Sequence, residues 1–238
     1  MPDLSAIRGI LFDKDGTLID FNRTWFGIIM RLARDVTGDD EMAARALLER
    51  GGYDWQQQRF VGGSVIAAGT VADLVDLWHP DLPGEHRSAR IARYDGVAID
   101  EGNRRATGID GLDHTLETLA ARGFRLGIAT NDSEAGARAT ATALGLTDYF
   151  AAVIGYDSVA RPKPWPDQLH LFAATTGLPA EAIAMVGDNT HDLEMAHAAG
   201  AGLAIGVLSG NSTREELAGL ADIIVDSVAD LPELFAGA

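Results

Sequence analysis

The chain has 238 residues, of which 47% are hydrophobic, 23% charged and 7% aromatic. That balance fits a soluble globular protein with a sizeable core and excludes both a disordered chain and a disulfide-held miniprotein. With no cysteine, disulfides, thiolate catalysis and cysteine-bound zinc are excluded, and a reducing compartment is expected. Acidic side chains outnumber basic ones by 35 to 19, a formal charge of −16, which argues against nucleic acid as a partner. The same field repels a small anion unless a cation or local basic groups reverse it.

Residues 1–6 show no basic leader ahead of an apolar stretch. No apolar run reaches the roughly 20 residues that cross a bilayer, so no membrane partner and a cytoplasmic location are expected. Lysine occurs only at Lys14 and Lys163, against 17 arginines.

The first apolar run, residues 7–12, is short, rich in strand formers and ends at Asp13. It predicts a buried strand that delivers polar residues at its C-terminal end. From about residue 22 to 99 the pattern is largely helical. Trp25, Ile28, Ile29 and Leu32 form one apolar face, Met42, Ala46 and Leu47 another, and a third stretch runs over 65–78 before a proline break. Helix and strand then alternate. Helices are predicted over 112–121, 134–144, 167–175 and 192–199, and strands over 125–130, 152–155, 183–186, 203–207 and 222–225. This rhythm indicates an α/β fold, a doubly wound, mostly parallel sheet covered on both faces. Some 80 residues between the first two strands exceed an ordinary crossover. They are read as an inserted helical domain over 20–104, with residues 1–19 and 105–238 forming the core.

Three strand ends carry polar clusters. At the first, Asp13 and Asp15 stand two apart before Gly16 and Thr17. Asp13 can attack an electrophile, Asp15 can carry a proton, Gly16 permits a tight turn and Thr17 can brace it. The same letters also spell a common turn. Near residue 187 a second apolar strand ends in Gly187-Asp188-Asn189-Thr190-His191-Asp192. Here Asp188 can bind a hard cation and Asp192 can support it, or Asp192 or Thr190 can simply cap a helix. One cation shared by two strand ends is more economical than two unrelated turns, because Asp13, Asp15, Asp188 and Asp192 repel one another without it. Thr130 and Asn131 close a third strand and can hold phosphoryl oxygens or cap a helix. Between two prolines, Lys163 has a restricted backbone that can aim its ammonium at the same place. The Lys14 side chain is expected to point away from Asp13 and Asp15.

Taken together, residues 12–18, 129–131, Lys163 and 187–192 resemble, in order, the four motifs of the haloacid-dehalogenase superfamily. Residues 207–217 resemble its phosphoglycolate-phosphatase-like branch, which carries a helical cap. The resemblance implies a Rossmann-like core and a Mg²⁺-dependent phosphatase acting on a small phosphorylated metabolite. Asp13 would form an aspartyl-phosphate, and Asp15 would protonate the leaving oxygen and later activate water. Magnesium would be held by the Asp13 carboxylate, the Asp15 backbone carbonyl and Asp188, with Asp192 assisting through water or Lys163. Thr130, Asn131 and Lys163 would stabilise the transferring group. The cap would then choose the substrate. Arg23 or Arg59 could bind a carboxylate, which suits 2-phosphoglycolate, while Trp25 and Phe60 are read as core residues.

Within that superfamily, Asp15 argues against dehalogenation, which lacks an acid there. The absence of lysine from residues 20–110 argues against a phosphonoacetaldehyde hydrolase. The remaining alternatives are a phosphatase of another sugar phosphate or nucleotide, a β-phosphoglucomutase-like phosphotransferase and, more distantly, a non-catalytic binding protein on the same fold. Lys14 and Trp165 depart from the usual phosphoglycolate pattern, and whether the chain is a monomer or a homodimer is not readable.

Overall fold

The computed structural model describes residues 4–237, so Met1–Asp3 and Ala238 lie outside it. A four-residue strand, β1 (Gly9–Phe12), is wholly buried and begins two residues later than the apolar run suggests. It is followed in the chain by a small antiparallel ribbon, β2 (Tyr53–Asp54) and β3 (Arg59–Phe60). Five more strands then come in order: β4 (Arg125–Ala129), β5 (Phe150–Ile154), β6 (Ile183–Gly187), β7 (Leu203–Val207) and β8 (Ile223–Val225). The main sheet runs β5-β4-β1-β6-β7-β8 and every pairing in it is parallel. Strand order therefore reverses between β1 and β6. In open α/β sheets the crevice at such a reversal, beyond the carboxyl ends of the strands, is where ligands bind.

Alternation along the strands builds two cores. Ile10, Phe12, Ala184 and Val186 face the side that meets Leu112, Leu116 and Leu119 of α6 (Leu112–Ala121) and Ala137 and Ala141 of α7 (Glu134–Ala143). Leu11, Ile183 and Met185 face the other side, against Phe172 of α8 (Asp167–Thr176) and Leu193 and Ala196 of α9 (Thr190–Ala199). Each of the Val, Leu, Ile, Phe and Met side chains among them, fully buried, contributes roughly 1.5–3 kcal/mol of transfer free energy, and each alanine less. Two short helices, α10 (Arg214–Leu217) and α11 (Leu231–Leu234), complete the C-terminal part. No helix among the described residues is long and apolar enough to cross a membrane.

Between β1 and α6 the chain makes five helices: α1 (Phe21–Thr37), α2 (Glu41–Arg50), α3 (Val65–Ala68), α4 (Val71–Trp78) and α5 (Gly84–Arg105). They form the helical cap inserted into the α/β core, with an interior of their own that includes Ile28, Leu32, Leu48, Phe60, Val75 and Tyr94. Phe21 and Phe60 meet there edge to face at 5.3 Å. On α2 the buried face is Ala44, Leu47 and Leu48, while Met42 is 83% exposed. Of the expected Met42–Ala46–Leu47 face only Leu47 is buried, and Ala44 and Leu48 replace Met42 and Ala46 in the stripe that packs inward. The ribbon β2–β3 is a further departure from an all-helical insert. Asp54 Oδ1 accepts from the Gln56 and Gln57 amides at 2.7 and 3.0 Å, and Gln58 takes a left-handed φ of 55°, so a local turn wins over helix. The predicted stretch over 65–78 divides at Gly69, because Thr70 restarts it with a capping box to Asp73.

Entry and exit of the insert run side by side. Asp20 N donates to Thr107 O at 2.9 Å and Ile109 N to Leu18 O at 2.9 Å. Cap and core also meet through side chains, notably where Tyr156 Oη donates to Asp95 Oδ2 of α5 at 2.8 Å. Burial lifts the Asp95 carboxyl to about 6, against the hydrogen bond from Tyr156 and with repulsion from Asp132 and Asp157. A raised carboxyl favours the folded state while protonated, so its contribution is fully present below about pH 4 and is lost as pH rises through 6. Asp95→Asn keeps an acceptor for Tyr156 and removes the titration. The melting temperature of the variant should gain on wild type as pH rises from 4 to 7; a difference independent of pH would show that this contact does not titrate as described.

Candidate active site

The parallel register sets the site. Phe12 is paired with Ile128 of β4 on one side and Val186 of β6 on the other, so the residues just beyond each strand emerge together. Asp13 extends the ladder by one bond, its N–H donating to Val186 O at 2.8 Å. Past β4 comes Thr130, whose N–H donates to Ile154 O at 3.0 Å. Past β6, Gly187 leads to Asp188 and then to α9.

Asp13, Asp188 and Asp192 are all buried and offer carboxylate oxygens within 4.8 Å of one another. A single ammonium enters this group. Lys163 Nζ lies 2.5 Å from Asp13 Oδ1, 2.7 Å from Asp192 Oδ1 and 3.1 Å from the Ala129 carbonyl. Three carboxylates and one ammonium sum to −2. At an effective dielectric near 20, each carboxylate pair at this separation repels by on the order of 3–4 kcal/mol. Burial, opposed by Lys163 and assisted by Asp192 and Asp15, pushes the Asp13 carboxyl up to about 7. Burial, then Asp13 and Asp192, hold Asp188 well above the usual carboxylate range. Lys163 is lowered by burial but raised further by its two carboxylate partners, so it stays charged. A hard divalent cation fits this set: oxygen donors only, closely spaced, with two negative charges left to offset.

Asp188 is held from behind. Its Oδ2 accepts the Asn211 amide at 2.8 Å. A Cβ on Gly210 would stand 1.9 Å from that oxygen, and one on Gly16, at φ +91°, would stand 2.6 Å from it. Both positions must lack a side chain for the carboxylate to sit where it does. Asp192 serves two ends at once. While Oδ1 meets Lys163, Oδ2 accepts the Asn189 amide at 3.0 Å in a capping box that starts α9. The capping and ligand readings of Asp192 are therefore compatible, and Asn189 rather than Thr190 is the cap.

The other expected site residues separate. The Asp15 side chain is not part of the metal-sized group, and the ligand expected of that residue is its backbone carbonyl. Its Oδ1 accepts from Trp25 Nε1 at 2.5 Å and its Oδ2 lies 2.6 Å from Lys14 Nζ. The expectation that Lys14 points away from Asp15 is thus corrected. The ammonium is 2% exposed, bridges Asp15 and Asp132 (3.2 Å) and sits 5.3 Å from the Trp25 ring. Burial lowers Lys14, but the two carboxylates outweigh it and hold it charged. Trp25, read as core, is only half-buried and reaches the site with its polar edge. Phe60 is fully buried, as expected. Thr130 Oγ accepts from Asp132 N at 3.0 Å, which leaves its hydroxyl hydrogen free to donate toward the crevice. Asn131 turns its amide to the Ala68 and Lys163 carbonyls (2.8 and 3.2 Å) and accepts from Lys163 N at 3.1 Å, so it braces the Lys163 loop and the cap. The Thr17 hydroxyl has no partner and does not brace the turn.

Neither cap arginine lines the cavity above the acids. Arg23 is 74% exposed and faces Asp20 at 3.6 Å. Arg59 gives its guanidinium to the Asn211 carbonyl, tying cap to core. Trp165 is exposed, with Arg161 4.8 Å above its ring. Three contributors were absent from the sequence-based set: Lys14, Asp132 and Asn211. Lysine rarity marked the first, and the stretch over 207–217 contained the last.

The reversal between β1 and β6, the inserted helices and the buried acids together are those of a phosphatase-type hydrolase on a Rossmann-like core. Residues 7–200 match the family of haloacid dehalogenase-like hydrolases, and the chain belongs to it. It is 33% identical over 227 residues to the probable phosphatase IndB of Dickeya dadantii, covering 93% of this chain and 90% of that protein. To the phosphoglycolate phosphatase of Escherichia coli K12 it is 30% identical over 247 residues, covering 97% and 93%. A HAD phosphatase from Thermococcus onnurineus shares the fold at a TM-score of 0.68 and 21% identity, covering 97% and 99%. CbbY from Rhodobacter sphaeroides, solved with phosphate, does so at 0.66 and 23%, covering 94% and 96%.

Gly210→Ala tests how the acids are held. The new methyl group should displace Asp188 and weaken magnesium binding, measured by calorimetry, by about tenfold or more. Unchanged affinity would mean that Asp188 is not a ligand.

Proposed function

We propose that this chain hydrolyses the phosphate monoester of a small metabolite through an aspartyl-phosphate on Asp13, with magnesium bound by Asp13, Asp188 and Asp192. The observation that carries the reading is Lys163, which fixes one oxygen of Asp13 at the centre of three buried acids. The division into a core of 1–19 with 105–238 and a cap of 20–104 belongs to the same proposal, because the cap then closes over the reacting group.

The other Asp13 oxygen attacks phosphorus in line with the leaving alcohol. Bound magnesium would supply positive charge between the attacking carboxylate and the phosphoryl oxygens. The Thr130 hydroxyl donates to those oxygens as charge builds on them, and the Lys163 ammonium, its three N–H groups held by Asp13, Asp192 and the Ala129 carbonyl, stabilises the same charge through space. Asp15, aimed by the indole N–H of Trp25, gives its proton to the departing oxygen and later takes one from the water that cleaves the acyl phosphate. Trp25 comes from the cap, so closure orients the acid as well as excluding water.

Likeness to the phosphoglycolate phosphatases supports 2-phosphoglycolate as a substrate to assay. With Arg23 and Arg59 placed off the cavity, its carboxylate lacks the cationic partner the sequence suggested.

Turnover of p-nitrophenyl phosphate should require magnesium and stop with chelator. Asp13→Asn, which keeps the shape but not the nucleophile, should lower kcat by roughly a thousandfold or more. Equal activity in wild type and variant would refute the nucleophile.

A further inference from the structure

The cavity above the acids has two unlike halves. On the core side it is walled by Asp13, Asp15, Thr130, Lys163, Asp188 and Asp192. On the cap side the wall is apolar: Trp25 and Ile29 from α1, Val65 and Ile66 from α3, and Val71 and Leu74 from α4. Phosphate must enter the acid half, because only there do a nucleophile and cation ligands exist. The leaving group is then turned into the apolar half.

Among the described residues, each basic side chain lining or bordering this cavity already has a partner. Lys163 is engaged by Asp13 and Asp192. Lys14 lies beneath the surface between Asp15 and Asp132. His191, the remaining basic side chain in the lining, turns Nδ1 toward the Ala68 carbonyl at 3.4 Å. The N-terminus of α4 reaches the cavity, but its capping box already places the Asp73 carboxylate at that end, accepting from Thr70 N at 2.8 Å and Thr70 Oγ at 2.7 Å. A carboxylate on the leaving group would lose its hydration against apolar walls, in a cavity whose other charges are mostly negative.

We infer that the substrate is the phosphate ester of an uncharged, largely apolar alcohol, with α1, α3 and α4 supplying the specificity surface. The inference rests on the phosphatase reading and adds to it the chemical class of the leaving group. An apolar leaving group also makes contacts with this wall that a hydrated anion cannot make.

The test compares kcat/KM for benzyl phosphate, n-butyl phosphate and 2-phosphoglycolate with magnesium at pH 8. All three are primary alkyl esters, so leaving-group type does not decide the order. Benzyl phosphate should exceed 2-phosphoglycolate by at least tenfold, with butyl phosphate between them. Parity, or a preference for 2-phosphoglycolate, overturns the inference and leaves the phosphatase reading standing. No turnover of any ester, p-nitrophenyl phosphate included, overturns both. Val71→Lys, at a half-buried position on the same wall, adds a cation; with its fold checked by melting temperature, it should lower the benzyl-to-phosphoglycolate ratio by about tenfold. An unchanged ratio in the folded variant would show that this wall does not face the leaving group.

Discussion

One ammonium holds the centre of the molecule. Lys163 spans Asp13 and Asp192, buried carboxylates that would otherwise repel each other and the nearby Asp188. Removing one partner from such a pair leaves an uncompensated buried charge, which is far more costly than the pair is stabilising. The site is therefore all or nothing: the lysine, its loop and the three acids must be in place together. The sheet meets that requirement by pairing β1 between β4 and β6, so that Asp13 leaves β1 beside the strand ends that deliver Thr130 and Asp188, each one residue further along.

A second buried ammonium, Lys14, does for Asp15 what Lys163 does for Asp13. It ties Asp15 to Asp132 while Trp25 approaches from the cap. The two lysines keep Asp13 and Asp15 in separate environments. Asp13 shares its site with Asp188 and Asp192, whereas Asp15 has a cation on one oxygen and an indole N–H on the other. The cap participates in both halves: Asn131 binds the Ala68 carbonyl, and Asn22 donates to Asn211 Oδ1, whose own amide N–H holds Asp188.

Much of this was legible in the sequence, for a physical reason. Buried parallel strands write themselves as short apolar runs, and their ends are marked by the first acids or hydroxyls, so Asp13, Thr130 and Asp188 could be read off as neighbours in one sheet. Lys163 was legible through its rarity and its prolines. What stayed hidden depends on packing between distant segments. Lys14 looked like a side chain facing outward because alternation along β1 says nothing of a turn, and Asp132, its second partner, lies beyond β4. Trp25 read as core since a helical stripe does not distinguish a ring buried on all sides from one with its N–H at an edge. Arg23 and Arg59 were chosen for charge alone, and charge does not tell which face of a cap meets the site. The turn at Gln58 and the shifted face of α2 were lost for the same reason, that local contacts outweighed the helical period.

Diffraction from crystals grown with manganese, collected at the metal's absorption edge, would test the central claim most directly. The account predicts one anomalous peak within coordination distance of the Asp13 and Asp188 carboxylates, lost in Asp188→Ala. A fully active enzyme with no peak between those two acids, or with its metal bound elsewhere, would contradict it.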